Sequence, residues 1–468
     1  RDFLAAIAAA KSAWLSFPAF DPDLRPSYPS SWVMALAEPE SSRPVTAAAL
    51  RDGRGVKNLL AIPSPYAGLE KAPSLLNVAE WRLEVARREG ARLKASGLAL
   101  RPDLPLQRQL EVRAARLSSS FSEFDGNVAS EVAGLEVLSA GLDRRGHSPS
   151  SIERWATCPF SYLLERVLHV EETERPEQEI PWAIGAATKG ALVHEILSHF
   201  FGELRAHGRP GPAEAYTAAD QRLIEDMAKE EFAKLEAAGA IGNALAWQNE
   251  KQAILVDLQT FLRRDEKVRD DGLVPSLFEQ GFGMGGDPWD ELVIDLDDGR
   301  SARIRGRIDR IDLGPDPSAP QVARLIDYKT GGFTRYSEKA FKEDPVVAGT
   351  KVQPSVYGAA IRARYPGIRV ESAYWFASSK GAFKLMSVPD DPERLRAALA
   401  IVDRGIRAGA FPQVPGPESA RPGAAGWENC SYCAFDRVCP KGRDQMKERK
   451  QDQPGPRIHL ELGGDDGA

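Results

Sequence analysis

Cysteine is scarce, with 4 in 468 residues, which excludes a small secreted domain stapled by disulfides. Long apolar runs are missing as well. No stretch approaches the roughly 18 residues of a membrane-spanning helix, and no charged-then-apolar segment opens the chain, so nothing reads as a membrane protein. Collagen and coiled-coil patterning are absent too. The chain lacks a G-x-x-x-x-G-K-[ST] phosphate loop. Its nearest look-alike, Gly185 to Gly190, has no Lys-Ser/Thr pair after it, which leaves an ATPase reading without support. A zinc protease would need H-E-x-x-H with both histidines on one helix face. Here His194-Glu195 is followed by His199, five residues on and rotated away. Positive charge is not in excess either. With 61 basic and 67 acidic residues the net charge is −6, which excludes a histone-like coat but leaves room for a local basic groove.

What is there is ordinary for a soluble globular chain: 43% hydrophobic and 27% charged residues. At roughly 150 residues per domain the length corresponds to about three domains, enough to bury a sizeable core. The sequence opens on Arg1 and not on Met, so we expect a piece of a longer protein. Residues 1–147 alternate alanine-rich helical stretches, 2–14 and 78–98, with Pro/Ser-rich loops, and carry no recognisable chemistry. A second unit is expected over 148–441. Ser150-Ser151-Ile152-Glu153 fits a capping box, which predicts a helix start. Helices are expected at 191–205, 218–237 and 244–269. Strands are expected at 291–296, 301–313, 322–329 and 370–377, with helices at 352–364 and 394–407. Asp298-Gly299 marks the turn of the first hairpin. This order predicts a mixed α/β core. Residues 412–426 read as a Pro/Gly-rich linker, and 442–468 as a disordered tail.

Two strands carry the chemistry. Alternation along 301–313 puts Arg303, Arg305, Arg307 and Asp309 on one face, a pattern suited to a phosphodiester and its metal. In the next strand Asp327 and Lys329 are two apart and project together, just before Thr330-Gly331-Gly332. Two acids from neighbouring strands plus a lysine form a minimal metal-dependent nuclease site, with oxygen ligands matched to Mg²⁺. Taken alone, D-x-K is a common same-face ion pair; the preceding Gly306-Arg307-Ile308-Asp309 strand raises its weight. Asp312 is a second acid there, on the opposite face, so Asp309 is favoured. His194 is read as a third ligand from a helix packed on the sheet. Gln353 and Tyr357, four apart, share a helix face. In isolation they would be an ordinary polar edge.

All four cysteines fall into one pattern: Cys158 far upstream, then Cys430-x2-Cys433-x5-Cys439. Three clustered thiolates and a distant fourth are compatible with zinc or with an iron–sulfur cluster. Either would tie together the two ends of the α/β unit.

Together these elements resemble the PD-(D/E)XK nuclease domain of the RecB/AddB type, in its iron–sulfur form, over residues 148–441. The resemblance rests on Ser150 to Pro159 (S-x-I-E-x-x-x-x-C-P), Gly190 to Glu195 (G-x-L-V-H-E), Gly306 to Asp312 (G-R-I-D-R-I-D), Asp327 to Gly331 (D-Y-K-T-G), Gln353 to Tyr357 (Q-x-x-x-Y) and the C-x2-C-x5-C-P triplet. One departure is Ile308 in place of the family's proline before the first acid. The resemblance implies a restriction-endonuclease-like mixed sheet flanked by helices, with a mainly helical N-terminal region that is the remnant of a helicase-like part. It implies Mg²⁺ or Mn²⁺ on His194, Asp309, Asp327 and the Tyr328 carbonyl, and Lys329 as the catalytic lysine. Gln353 and Tyr357 would position DNA and the site, and Cys158, Cys430, Cys433 and Cys439 would hold a [4Fe–4S] cluster. It further implies single-stranded DNA at duplex ends as substrate, an AddA/UvrD-like helicase subunit as partner, and a cytoplasmic setting. Two other readings compete: a cluster-stapled DNA-binding module that cuts nothing, and a stand-alone CRISPR-associated exonuclease. Against the first, two acids in a phosphate groove repel DNA. Against the second stand the 145 or so additional N-terminal residues.

Overall fold

In a computed structural model of the chain, the described residues are 7–12, 15–19, 27–41, 44–51, 56–59, 105–130, 132–171, 184–296, 299–314, 316, 319–418, 426–431, 433–435, 438–440 and 442–464. Two compact units are present, Arg1–Gln107 and Arg108–Ala468. In the first, short helices cover Ser31–Ala37 and Ala47–Arg51; Ser30 caps the former by accepting the Val33 N–H. The helix expected at 78–98, and most of that at 2–14, lie outside the described residues.

The expected boundary at 147 moves to 107, because residues 108–147 pack with the rest of the second unit. Helix α1 (Pro105–Leu117) crosses the boundary, and α2 (Val132–Arg145) joins the second unit. Asp125, fully buried, is paired with Lys450 at 2.6 Å, and the same ammonium donates to Ala115 O. Asp143, in α2, takes a guanidinium bond from Arg407 at 2.6 Å.

Helix α3 (Pro149–Thr157) begins two residues before the expected place. Ser148 and Ser151 form its capping box, with Pro149 in the first turn, where a missing N–H costs nothing. That arrangement releases Glu153 from capping its own helix. Trp155 is fully buried against α9, where a side chain at Gly405 would stand 2.1 Å from the indole. Three long helices follow: α4 (Ala186–Ala206), α5 (Ala218–Ala237) and α6 (Ala244–Val268).

The sheet then assembles from β1 (Val274–Phe282), β4 (Gly306–Gly314), β5 (Val322–Lys329), β6 (Arg369–Phe376) and β7 (Leu385–Val388), in the order β1-β4-β5-β6-β7. Only β5 and β6 are parallel, joined by the crossover that contains α7 (Glu338–Glu343) and α8 (Gln353–Arg364). Helix α9 (Pro392–Arg407) completes one layer with α3 and α8, against Ile311 and Leu325; α4 to α6 form the other, against Ile326 and Tyr328. This is a restriction-endonuclease-like mixed sheet flanked by helices. Among the described residues no helix is long and apolar enough to cross a membrane.

The strand expected over 301–313 is two strands. Residues Ser301–Ile304 (β3) pair with Leu292–Asp295 (β2) in a separate hairpin, and the chain breaks at Arg305, whose N–H donates to His147 O at 2.9 Å. The Asp298 turn position lies outside the described residues. Strands β1 and β7 were not expected. Nor is the end of the chain a loose tail. Helices α10 (Arg443–Lys450) and α11 (Pro454–Leu460) pack down, burying Met446, Pro456 and Leu462, while Arg394 donates to Leu462 O at 2.6 Å. Residues 465–468 lie outside the described set.

Deleting residues 443–468 removes this packing and leaves Asp125 buried without its cation. We expect a loss of at least about 3–5 kcal/mol, read as a lower urea midpoint than the full chain. Equal midpoints would mean that the segment carries no stability.

Candidate active site

The site forms where the sheet comes apart. The β4–β5 ladder ends at Arg310 opposite Ile326. One residue further the strands separate, and the Asp309 carboxylate fills the gap: the Tyr328 N–H donates to Asp309 Oδ2 at 2.7 Å. On the other side, Phe278 pairs with Arg310 and Gln280 with Ile308, which sets Glu279 opposite Asp309. Glu279 has φ of +44°, a left-handed value rare for a non-glycine residue. Around it the layering reverses: Phe278 packs with α4 to α6, whereas Phe282 belongs to the opposite layer. Glu279 and Asp309 thus stand at a pivot of the sheet.

Helix α4 lies over this pivot and supplies His194. Its Nε2 donates to Tyr328 O at 3.2 Å, and its Nδ1 stands 3.5 Å from Asp309 Oδ2. Burial alone would lower the His194 pKa, but Asp309 and Asp327 outweigh it and the net shift is upward. One ligand atom each from His194, Glu279 and Asp309 lie within 4.8 Å of one another, an N/O/O set that fits a divalent cation. Burial pushes the Glu279 carboxyl up to about 7, with Asp309 adding to the rise.

Strand β5 contributes the rest. Leu325 faces the α3/α8/α9 layer, so Asp327 and Lys329, two and four residues on, face it as well. Asp327 is 2% exposed and ion-paired with Lys329. Burial and Asp309 raise its carboxyl to about 6, against the pull of Lys329. Burial disfavours the Lys329 ammonium, yet Asp327 holds its pKa above the ordinary value. Lys329 Nζ donates to Gln353 Oε1 at 3.0 Å, from the first turn of α8. One turn later Tyr357 is buried with its ring 6.2 Å from that of Phe282, and burial keeps its phenol protonated far above the usual range. Gly306 permits this contact; a side chain there would come within 2.9 Å of Phe282 and 3.2 Å of Tyr357.

The structure therefore brings together His194, Asp309, Asp327, Tyr328, Lys329, Gln353 and Tyr357. It does not form the expected row of arginines. Arg303, on the separate hairpin, is clamped by Glu291 at 2.5 and 2.8 Å; Arg305 falls at the strand break; Arg307 alone stays on β4, exposed. Asp312 takes a different part: fully buried, it receives two bonds from Arg310, which also meets Asp265 at 2.6 Å. His199 pairs with Glu195 and Glu231 and not with His194. Glu279 went unread in the sequence. A lone acid within the apolar Leu277-Phe278-Glu279 stretch was its only signal.

The four cysteines, none of them in a disulfide, line one cavity with Phe160, Gln413 and Arg443. Cys158 is the C-cap of α3, which carries it to the triplet. Burial and the other three sulfurs push the Cys439 thiol up to about 12, and Arg443 donates to Cys430 Sγ at 3.4 Å. Gln413 is 5% exposed, and its buried Nε2 finds no acceptor in the protein. Four thiols, a guanidinium and an orphaned amide donor facing one space fit a thiolate-held metal group.

The sequence is similar to curated proteins named as a subunit of an ATP-dependent helicase/deoxyribonuclease. It is 23% identical to that of Acetivibrio thermocellus over 236 residues, 49% of this chain and 19% of the relative. It is 26% identical to that of Alkaliphilus metalliredigens over 219 residues, and 27% identical to that of Alkaliphilus oremlandii over 222 residues, each 46% of this chain and 17% of the relative. The matches thus span less than a fifth of the length of these relatives. A family profile, that of the PD-(D/E)XK nucleases, matches residues 147–440, which takes in the sheet, α4 and both cysteine groups. The chain belongs to the PD-(D/E)XK nuclease superfamily.

Proposed function

We propose that residues 148–441 form a divalent-metal-dependent DNA nuclease of exonuclease type, acting on single strands at duplex ends beside an ATP-driven helicase subunit of the AddA/UvrD-like kind. The observation that carries this reading is the wiring of Asp327, Lys329 and Gln353 on one face, beside the His194–Glu279–Asp309 trio. The relatives' name, which joins helicase and deoxyribonuclease, supports the setting in cytoplasmic double-strand break repair.

Mg²⁺ or Mn²⁺ would be held by His194, Asp309, Asp327 and the Tyr328 carbonyl, with Glu279 added, and would supply a Lewis acid for the phosphate and a water of lowered pKa. The protein's own groups do the rest. Lys329, kept protonated by Asp327 and aimed by Gln353, presents positive charge to the phosphate oxygens as negative charge grows on them. Tyr357, locked as a neutral phenol, packs the floor of the site and helps position the DNA. Arg307, exposed on β4, is oriented for the DNA backbone; Arg303 and Arg305 contribute at longer range. Cys158, Cys430, Cys433 and Cys439 would hold a [4Fe–4S] cluster, with Gln413 as a donor to its sulfurs.

End-labelled single- and double-stranded DNA digested in Mg²⁺ tests the proposal. Wild-type protein should shorten the label, and Asp327→Ala or Lys329→Ala should slow it at least about 100-fold with the fold intact. Undiminished cutting by either variant would refute the assignment.

A second expectation follows from protonation. Glu279 and Asp327 have folded pKa values raised to about 7 and about 6. The folded protein then binds more protons than the unfolded chain between about pH 4 and 7, so without Mg²⁺ its stability falls as pH rises through that window. Cation binding needs the ionised carboxylates and strengthens over the same rise. Added Mg²⁺ should raise the urea midpoint at about pH 7.5 and leave it unchanged at about pH 5. Equal shifts at both would exclude these two carboxyls.

Cys433→Ser should remove the visible absorbance of anaerobically purified protein and lower its melting temperature. A variant that melts like wild type would rule out a stapling role.

A further inference from the structure

Glu153 has no part in the metal site, yet its carboxylate is committed. Its Oε1 accepts the N–H of Val352 at 2.8 Å and of Gln353 at 3.2 Å, some 200 residues away in sequence. These are orphan donors at the start of α8, whose N-cap, Val352, offers no side-chain acceptor. A carboxylate placed there both satisfies the donors and complements the helix dipole. The residue so held, Gln353, is the acceptor for Lys329 Nζ.

The other end of the same short helix belongs to the cysteine cavity. Cys158 is the C-cap of α3, five residues after Glu153. The last carbonyls of α3 are taken up by outside donors: His459 Nε2 donates to Ala156 O at 2.7 Å, and Asn429 Nδ2 to Thr157 O at 3.0 Å. Asn429 precedes Cys430 directly and also donates to Val414 O at 3.1 Å. The loop entering α8 runs close along α3, since a side chain at Gly349 (φ +77°) would stand 3.0 Å from Ala156 Cβ. Helix α3 is only nine residues long and wedged through Trp155 under Gly405, so a shift at its C-terminal end is felt at Glu153.

We propose that Glu153 is a positioning residue that couples the four-cysteine site to the Lys329–Gln353 pair: the state of the cysteine site sets the position of α3, and Glu153 passes it to the start of α8. This deepens the nuclease reading and rests on it for its consequence, but its physical content is a hydrogen-bonded link that can be read without cleavage.

The test is amide hydrogen exchange of the full chain, followed by mass spectrometry on peptides covering residues 350–356. Glu153→Ala should speed exchange there about three- to thirty-fold, the loss of a helix cap, while Glu153→Gln, whose amide oxygen accepts the same bonds, keeps protection. Asn429→Ala, which cuts the link from the triplet loop without touching a thiol, should speed the same peptides, as should Cys433→Ser. Added to Glu153→Ala, neither should speed exchange further. In cleavage assays Glu153→Ala should lower kcat and leave KM for DNA unchanged. Unchanged exchange in Glu153→Ala, loss of protection in Glu153→Gln, or multiplying effects in the double variants would each overturn the coupling. Because exchange is read whether or not the wild-type protein cuts DNA, failure of the nuclease reading would be seen separately, as intact coupling without cleavage.

Discussion

A single hydrogen bond, from the Tyr328 N–H to Asp309 Oδ2, stands where a strand ladder should have continued. In an unbroken antiparallel pair that N–H would meet a backbone carbonyl, and the two strands would leave no space between them. Here a side-chain carboxylate takes the carbonyl's place. The donor stays satisfied, so opening the sheet does not leave a buried amide unpaired. The opening holds Asp309, Glu279 and, from above, His194; the far edge of β5 carries Asp327 and Lys329 beyond it.

Two supports hold that opening in shape from its two sides. On the side of α4 to α6, Arg310 is fully buried, with its charge matched by Asp312 and Asp265 and its plane 4.5 Å from the Phe201 ring. Such a group is costly to bury and costlier to leave unmatched, so β4 is locked to α6 next to the point at which the ladder ends. On the side of α8 the support is α3. It fixes the first turn of α8 through Glu153 and meets the cysteine cavity through Cys158. Asymmetry follows: one wall of the site is a static ionic core, while the other hangs on a short helix tied to the cysteine cavity.

Much of this was legible in the order of the residues. Strand β5 and helix α8 fall within one residue of the spans read from sequence, because an apolar run flanked by turn residues, and a polar pair four apart, encode their own geometry. The elements that escaped are those whose local pattern is ambiguous. Strand β1 is covered on both faces and changes face at Glu279, so it shows no alternation to read, and Glu279 went with it. The charged segment 443–464 has the composition of a tail, but Lys450 is drawn in by the buried Asp125. The row of arginines failed because alternation holds only within one strand, and the chain changes sheets at Arg305.

By itself the sequence determined the chemical inventory and its order: a histidine on a helix, an acid on one strand, an acid and a lysine two apart on the next, a glutamine on the following helix, and cysteines at both ends. Those features are local, set by residue type and by the two- and 3.6-residue periods of strand and helix. Only the tertiary structure decided which of several acids met. Asp309 rather than Asp312 faces His194, Glu279 joins them, and Glu153 reaches α8 rather than its own amide. The physical reason is that these choices depend on where a ladder ends and where a strand reverses its face. They are set by the packing of two helical layers on opposite sides of the sheet, contacts between residues tens to hundreds of positions apart that no local pattern records.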